Sequence, residues 1–424
     1  MHFNILTIFP EFFESPMSCG LMGKAQADRI FDYSLINPRD FAQDRRSVDD
    51  RPYGGGPGMV MSLEPLINAL RSLSSLGRIL LLSPKGRPLE QHLASELAQE
   101  EQLTLICGRY EGIDSRLENL FPIEQVSVGD FVLNGGEAAG LCLMESVARL
   151  LPDFMGRYQS VEEESFSQGL LEYPHYTRPE VFEGQTVPKV LLSGNHGVVA
   201  KWRREQALIS TLQHRPEILK KNRFLTKDID VLRKQQRRKL GRFLFVILVH
   251  YPVLNSQGKI TAVSLTNLDI HDIARVSCSY ALGGYYISTP LKDQQVLAQR
   301  LLDHWRKGPG REANPDRAQA VDRVHLVADI EQALDDIGSK CGQEPYLVAT
   351  SAREAGGMPP ATVRNWLEER PVVLLLGTGH GLAPELLQKS DDVLRSIRFL
   401  DAYNHLSVRT AAAVTIDRIL GDIY

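Results

Sequence analysis

The feature that most constrains the fold is an alternation of short apolar runs with helix-like stretches. Residues 1 to about 160 contain the apolar runs NILTIF, RILLLS, LTLICG and FVLNGG, separated by stretches such as EPLINALRSL and LCLMESVARLL. Apolar runs of strand length that alternate with helical segments predict an α/β domain with a mostly parallel sheet. At 424 residues the chain exceeds the usual span of one hydrophobic core, so two or three domains are expected.

The same alternation resumes near Phe243, where the second half of the chain begins. Its apolar runs are LFVILVHYPV, ARVSCSYAL, GGYYIST, PYLVATS, PVVLLLGTG and IRFLDA. Three segments correspond in kind and order between the halves: a strand with a small-residue turn, a strand with a glycine turn, and a strand followed by a loop and a closing helix. The third pair is FVLNGGEAAGLCLMESVARLL and IRFLDAYNHLSVRTAAAVTIDRIL. We infer two copies of one architecture, with a domain boundary just before Phe243.

A basic segment and an acidic connector lie between the two α/β halves. From Lys201 to Arg242 there are 14 Lys+Arg and 4 Asp+Glu, a local balance of +10 in a chain of net charge −4. This segment lacks strand-like runs, and its charge indicates a helical phosphate-binding face, with an ordinary solvated helix surface as the alternative. Residues 160 to 180 are polar and contain proline, which favours a connector. Glu162, Glu163 and Glu164 would by default be solvated charges there.

Several classes of protein are excluded by what the sequence lacks. The five cysteines are scattered without a CxxC pair, which argues against a zinc site or a disulfide framework and fits a reducing cytosol. The N-terminal run has no signal-peptide flank, and the longest apolar run, FLFVILV, is shorter than the ~20 residues that cross a bilayer. We therefore expect a cytoplasmic protein without membrane contact. The P-loop, HExxH and GxSxG motifs are absent, so kinase, zinc-protease and hydrolase functions have no support.

The stretch from Cys107 to Glu137 predicts a ligand cradle. Its glycines permit close backbone approach to a ligand, and between them lie Arg109, Tyr110, Glu111, Asp114 and Asp130. Two ordinary strand-to-helix turns are the alternative. The glycine-dense segment DDRPYGGGPGM is interpreted as a turn or clamp, and GTGHGLA lacks the GxGxxG spacing of a dinucleotide site.

Six motifs together resemble the bacterial tRNA (guanine-37) 1-methyltransferase family over residues 1 to about 240. They are DDRPYGGGPGM, LLLSPKGR, CGRYEGIDSR, VSVGDFVLNGGE, GLLEYPHYTRPEVFEG and PKVLLSGNHGVVAKWRREQAL. The resemblance implies a trefoil-knotted, SPOUT-type α/β fold and a homodimer. It also implies that S-adenosylmethionine is the methyl donor and that, with magnesium, nitrogen 1 of guanine 37, just 3′ of the tRNA anticodon, is methylated. The implied parts are a knotted domain (1–160), a linker (161–178) and a helical tRNA-binding subdomain (179–242).

The resemblance also implies a role for individual residues. Arg149 would act on the target guanine, and Asp50, His196 and Arg203 would contact the tRNA. Guanine nitrogen 1 carries a proton at neutral pH, so a base is needed, and a cation near O6 should stabilise the charge that develops. The base is ordinarily an aspartate before the linker SF, and Glu164 occupies that position here. The methyl donor would be held by Leu82, Ser83, Pro84, Gly108, Tyr110, Glu111, Val128, Gly129, Asp130, Phe131, Val132, Leu133 and Gly136.

The region from about Phe243 to Tyr424 resembles a smaller family of knotted RNA methyltransferase-like domains. The similarity rests on HYPVLNSQG, TNLDIHDIARVSCSY, GTGHGL and LDAYNHLSVRTAAAVTIDRIL. The resemblance implies a second methyltransferase, with a non-catalytic RNA-binding or dimerisation module as the alternative. A third possibility is a wholly non-catalytic RNA-binding chain. By analogy with the first domain, Arg409 would face RNA, and S-adenosylmethionine would be held by Thr350, Leu376, Gly377, Gly379, Gly381, Asn404, Leu406 and Ser407.

Overall fold

The computed structural model describes residues 1–44, 48–155, 164–235, 239–353, 356–401 and 403–421. The chain divides into two compact units, Met1–Leu232 and Arg233–Tyr424. No helix among the described residues is both long and apolar enough to span a bilayer.

The first unit is built on one parallel sheet whose five strands lie in the order β2-β1-β6-β5-β7. Every pairing in this sheet is parallel. Two short antiparallel pairs, β3 with β4 and β8 with β9, lie outside it. The strands are β1 His2–Leu6, β2 Asp32–Ile36, β3 Asp49–Asp50, β4 Val60–Met61, β5 Arg78–Pro88, β6 Gln102–Ile106, β7 Ile123–Ser127, β8 Val181–Phe182 and β9 Gln185–Thr186.

Helices cover both faces of this sheet, so its central strands are apolar on both sides, as in most parallel sheets. Phe3, Ile5 and Leu105 are buried in one cluster, whereas Leu6 and Leu81 are buried in another. The helices are α1 Glu11–Ser18, α2 Gly20–Ala27, α3 Leu63–Arg71, α4 Gln91–Leu97, α5 Leu117–Leu120, α6 Glu137–Ala148, α7 His196–His214, α8 Pro216–Leu219 and α9 Thr226–Lys234, with 3-10 turns at Pro38–Phe41 and Lys189–Leu192.

The second unit repeats this plan with a six-stranded sheet in the order β14-β13-β10-β16-β15-β17. All of its pairings are parallel, and a small β11–β12 hairpin lies beside it. The strands are β10 Leu244–Val249, β11 Val253–Leu254, β12 Ile260–Thr261, β13 Gly284–Ser288, β14 Val324–Val327, β15 Tyr346–Thr350, β16 Val372–Gly377 and β17 Asp392–Leu394. The predicted α/β class, with two mostly parallel sheets, is confirmed. The knotted path stays a prediction.

Eight helices within the described residues accompany this sheet. The helix α10 begins at a Thr266 cap and contains the run ARVSC, which the sequence analysis assigned to a strand, so that assignment is wrong. The helices are α10 Asn267–Ser279, α11 Lys292–Arg306, α12 Pro309–Ala313, α13 Pro315–Val321, α14 Ile330–Cys341, α15 Pro360–Trp366, α16 Pro384–Lys389 and α17 Val408–Leu420, and a 3-10 turn spans Leu240–Phe243.

The same error in the strand prediction occurs at corresponding places in the two units. The runs FVLNGG and IRFLDA were both interpreted as strands, yet neither contains one among its described residues. The strands lie just upstream, at β7 and β17. Both runs are exposed loops with large apolar side chains, including Val132 and Leu400, which are each 85% exposed. A short apolar run in an exposed loop has the same local sequence pattern as a buried strand.

Candidate active site

A cavity of about 350 Å³, here called the first cavity, opens where β5, β6 and β7 end. Ligands of α/β sheets bind in this position, beyond the carboxyl ends of the strands. Twelve of the thirteen predicted donor-binding residues line it, and Asp130 belongs to the same loop without lining the cavity. The twelve are Leu82, Ser83, Pro84, Gly108, Tyr110, Glu111, Val128, Gly129, Phe131, Val132, Leu133 and Gly136.

A break in the register of β5 forms one wall of the first cavity. Leu82 and Arg87 both pair with Val126 of β7, so the four residues between them leave the ladder. Ser83, Pro84 and Lys85, within this excursion, line the cavity. The motif LLLSPKGR therefore places backbone and side chains beside the cavity, where an uninterrupted strand would have continued the ladder.

Close backbone packing forms another part of the wall. The Gly136 amide donates a hydrogen bond to the Gly108 carbonyl over 2.8 Å. A Cβ on Gly136 would stand 2.7 Å from Cys107 Cα, so only glycine fits there without a backbone shift. Tyr110 adopts a left-handed φ of 61°. Burial raises the pKa of its hydroxyl, and the nearby Asp49 carboxylate raises it further, so Tyr110 is neutral at physiological pH.

A buried ion pair fixes the loops of the first cavity. Glu137, at the start of α6, is 1% exposed, and its Oε2 lies 2.8 Å from Arg109 Nε. Its Oε1 accepts a hydrogen bond from the Thr7 hydroxyl over 2.8 Å. The Arg109 guanidinium also lies 4.5 Å from the centre of the Phe9 ring. The ends of β1 and β6 are thereby tied to α6, and the sequence analysis did not single out Glu137.

Other lining residues were also missed. Gln125 and Ser127 belong to β7, a strand that the sequence analysis did not predict. The segment IEQVS alternates apolar and polar residues, which was the available signal for a strand. The remaining missed lining residues are Leu81, Lys85, Ile113, Ser115, Glu118, Val126, Asn134 and Ala139, whereas Arg109, Gly112 and Gly135, which also line the cavity, belong to the predicted cradle.

A separate cavity of about 210 Å³, here called the linker cavity, contains the predicted base. Arg149 Nη2, just past α6, lies 2.7 Å from Glu164 Oε1, with side-chain exposures of 38% and 26%. Arg203 of α7 lines the same cavity and lies 4.8 Å from the centre of the Tyr173 ring. The structure therefore brings Arg149, Glu164 and Arg203 into one region. Of the acidic cluster, only Glu164 lies within the described residues, since residues 162 and 163 are outside them.

Two predicted tRNA-contacting residues lie elsewhere in the first unit. His196 is the first residue of α7, whose start is capped by Asn195 Oδ1, which accepts from the Val198 amide over 3.2 Å. Asp50 belongs to the β3–β4 pair, and its Oδ1 accepts from the Arg51 amide over 2.7 Å. Neither residue lines the first cavity or the linker cavity.

The helix α7 is anchored by a buried carboxylate. Arg204 Nη2 donates to Asp228 Oδ2 over 3.1 Å, and the Leu225 amide donates to the same oxygen over 3.2 Å. Burial pushes the pKa of Asp228 upward, but these hydrogen bonds outweigh it and hold the pKa below its ordinary value. Asp228 is 1% exposed, so the ion pair with Arg204 holds the basic helix from its buried side.

The second unit has its own cavity, here called the second cavity, of about 1210 Å³ at the ends of β15 and β16. All eight residues predicted to hold a donor in this unit line it: Thr350, Leu376, Gly377, Gly379, Gly381, Asn404, Leu406 and Ser407.

Local hydrogen bonds shape the second cavity. The Asn404 side chain donates through Nδ2 to the Ala352 carbonyl over 2.9 Å, which ties the loop before α17 to the segment after β15. The Ser407 side chain caps α17 by accepting from the Thr410 amide over 3.3 Å. Gly379 has a φ of 61°, and a Cβ there would lie 2.8 Å from a backbone carbonyl oxygen. The glycine turn GTGHG is thus required by close packing.

Arg409, predicted to face RNA, is engaged by two carboxylates of α10. Its Nη1 lies 3.0 Å from Asp272 Oδ2, and its Nε lies 3.4 Å from Asp269 Oδ1. An arginine next to a carboxylate therefore occurs in both units, as Arg149 with Glu164 and as Arg409 with Asp269.

These features define a protein of two α/β units. Each unit has a parallel sheet and a glycine-walled cavity beyond the carboxyl ends of its strands. Residues 1–221 match the family described as tRNA (Guanine-1)-methyltransferase TrmD, and residues 243–421 match the family described as SAM-dependent RNA methyltransferase. The chain belongs to the tRNA (guanine-1)-methyltransferase family, and its methyl donor is S-adenosylmethionine.

Relatives support this membership over the full length. The chain is 60% identical over 423 residues to a tRNA (guanine-N(1)-)-methyltransferase of Oleidesulfovibrio alaskensis, and the match covers 100% of both chains. A protein of the same name from Nitratidesulfovibrio vulgaris is 57% identical over 425 residues, again with 100% of both chains covered. One from a Synechococcus species is 51% identical over 235 residues, which are 55% of this chain and 94% of that relative. The matches with the first two relatives therefore include the second unit, whereas the match with the Synechococcus protein covers only 55% of this chain.

Proposed function

We propose that residues 1–242 transfer a methyl group from S-adenosylmethionine to nitrogen 1 of guanine 37 in tRNA. The main support is the gathering of twelve predicted donor-binding residues on the first cavity. The volume of this cavity, about 350 Å³, lies in the range of small-molecule sites. The proposed parts are a donor-binding domain (1–160), a linker (161–178), a tRNA-binding subdomain (179–242) and a second domain (243–424). We place the protein in the cytoplasm.

In this proposal Glu164 accepts the proton of guanine nitrogen 1. Loss of that proton frees the lone pair, which attacks the donor methyl group. The C–S bond breaks, and its electron pair stays on sulfur. Arg149, 2.7 Å from Glu164, orients the carboxylate and supplies a cation for the charge that develops at O6. Glu164 has one methylene more than the usual aspartate, and its position in the linker accommodates the longer stem.

The base and the donor residues line different cavities that share no residue. Reacting groups must approach to about 3–3.5 Å, so a single chain in this arrangement does not complete the site. We propose a homodimer, in which a second copy brings its linker carboxylate to the first cavity.

The resemblance also implies a magnesium ion in the reaction. Among the residues that the structure describes, no group of three His, Cys, Asp or Glu side chains could hold a metal ion.

The basic helix α7 and the segment after it provide the proposed tRNA contact. Lys201 is 78% exposed, and the segment that it opens has a local charge of +10. Each phosphate contact releases counterions, so tRNA affinity should fall steeply as salt rises. Arg203, stacked on Tyr173, lies in this segment and also lines the linker cavity.

For residues 243–424 we propose a second RNA methyltransferase with its own donor site. All eight predicted donor-binding residues line the second cavity, which favours a methyltransferase over a pure binding module. Calorimetry with the full chain separates the two functions. Two S-adenosylmethionine molecules per chain are expected for two methyltransferases, whereas one per chain would favour the binding or dimerisation module.

The first activity is tested with an unmodified tRNA transcript, the full chain and S-adenosylmethionine, followed by mass spectrometry of the nucleosides. One N1-methylguanosine per tRNA is expected. A transcript with adenine at position 37 is the control and should gain none. Methylation that persists in the control would contradict the assignment to guanine 37.

A further inference from the structure

Among the described residues, one acid lines the second cavity. Of the described residues that form its wall, only Asp269 carries a carboxylate, whereas Arg353, Arg395 and two histidines supply positive or titratable groups. Asp269 lies in the first turn of α10 and is 7% exposed. A carboxylate that is both largely buried and at the wall of a donor cavity is placed where proton transfer is useful.

The contacts of Asp269 hold its carboxylate in place and leave it able to accept further hydrogen bonds. Oδ2 accepts a hydrogen bond from the Thr266 hydroxyl over 2.6 Å. Oδ1 lies 3.4 Å from Arg409 Nε. An ionised carboxylate has about four acceptor sites, so these two partners do not exhaust it. Its main chain is also fixed, because the Tyr285 hydroxyl donates to the Asp269 carbonyl over 3.2 Å.

Helix capping alone does not explain this arrangement. Thr266 is the N-cap of α10 and Asp269 is the third residue of the helix, which is the spacing of a capping box. In a capping box the acid reaches back to the backbone amide of the cap residue. Here the acid instead contacts the Thr266 hydroxyl and Arg409, and it lies on the cavity wall.

A second buried polar group lies near this position. His250 follows β10 and is 0% exposed, and its ring interacts with the Val263 backbone and with the Asp269 charge. Burial lowers the pKa of His250, against the opposing effect of the Asp269 charge, so the ring is neutral.

We propose that Asp269 is the proton acceptor of a second methyl-transfer site and that Arg409 positions it. The proposal rests on the proposed donor binding by the second unit. The substrate class that fits is an RNA base with a ring N–H beside a carbonyl, as in guanine or uracil. A ribose hydroxyl is a much weaker acid and is a poorer match for a carboxylate base.

The reaction balances without a further reactant. The ring N–H gives its proton to an Asp269 oxygen, and the nitrogen lone pair forms a bond to the donor methyl carbon. The C–S bond breaks, and its electron pair remains on the sulfur of the departing thioether. The protonated carboxyl then releases its proton to solvent. Unlike Glu164, Asp269 lines the same cavity as the donor-binding residues of its own chain, so this site needs no second copy.

The test compares cells whose only copy of the chain is the parent with cells that carry Asp269→Asn. Asparagine keeps the size of the side chain but cannot take the proton. Nucleosides from total RNA are measured by mass spectrometry. One ring-nitrogen-methylated nucleoside should fall by about a hundredfold or more, while N1-methylguanosine at tRNA position 37 stays at the parent level. The purified variant should still bind two S-adenosylmethionine molecules per chain.

Two further results separate the possible failures. Gly379→Val, which crowds the second cavity, tests donor binding itself, with thermal unfolding as the check on its fold. If Gly379→Val removes a nucleoside that Asp269→Asn retains, Asp269 is not the proton acceptor, although the second methyltransferase stands. If neither variant changes any nucleoside, both the second methyltransferase and this inference are wrong. Loss of a 2′-O-methylated nucleoside would overturn the assignment to a ring nitrogen, and loss of donor binding by Asp269→Asn would overturn its role as a base.

Discussion

Replacement of Glu164 by glutamine tests the proposed base most directly. General-base catalysis typically contributes about 10²–10⁴ in rate. At about 1.36 kcal/mol for each factor of ten, that corresponds to about 2.7–5.4 kcal/mol of transition-state stabilisation. The variant also loses an ion pair with Arg149, but both side chains are partly exposed, at 38% and 26%. Such a pair contributes only about 0–1 kcal/mol to stability, which is less than the smallest catalytic effect expected.

The assay is single-turnover methylation of a tRNA transcript with guanine at position 37, at saturating S-adenosylmethionine. Glu164→Gln should be slower than the parent by at least about a hundredfold. Glu172→Gln is the matched control, because Glu172 lines the same linker cavity, and its rate should match the parent. Glu164→Asp keeps a proton acceptor, so it should retain far more activity than the glutamine variant. A Glu164→Gln rate within tenfold of the parent would refute the assignment.

Three further predictions concern stability and donor binding. Gly136→Ala should weaken S-adenosylmethionine binding at least tenfold by calorimetry, because its Cβ would collide with backbone at 2.7 Å, whereas Gly197→Ala, with its nearest neighbour at 3.6 Å, should not. Glu137→Gln should lower the unfolding free energy by about 3 kcal/mol in denaturant titrations, since it leaves Arg109 without its buried partner. Because the pKa of Asp228 is lowered by folding, its stabilisation is present above the unfolded pKa of about 3.9 and is lost as pH falls through the folded pKa. The difference in unfolding free energy between the parent and Asp228→Asn should therefore become smaller below about pH 4. A difference that stays constant with pH would contradict this prediction.

The parts of the fold that sequence patterns predicted are those in which burial dictates residue type. Strands such as β6 and β16 are buried on both faces, so their runs of Leu, Ile and Val could be identified directly. The two exposed apolar loops were misassigned as strands because the local pattern does not show whether Val132 or Leu400 is buried. The break in β5 was also invisible, since it depends on pairing with a distant strand.

Side-chain partnerships were the other limit of prediction. The glycine-rich cradle was identified because glycine is required where backbones approach closely, as at Gly136. The ion pair between Glu137 and Arg109 could not be read locally, because it joins residues whose proximity depends on the fold. For the same reason, the two carboxylates around Arg409 were unexpected: they come from a helix that is distant in sequence.

The difference in size between the two proposed donor cavities has a consequence for chemical intervention. The second cavity, at about 1210 Å³, is more than three times as large as the first, at about 350 Å³. A donor analogue enlarged by a bulky substituent would be excluded from the smaller space and admitted to the larger one. Such an inhibitor would silence one half of the chain while anticodon-loop modification continued, and the two halves could then be studied separately in a living cell.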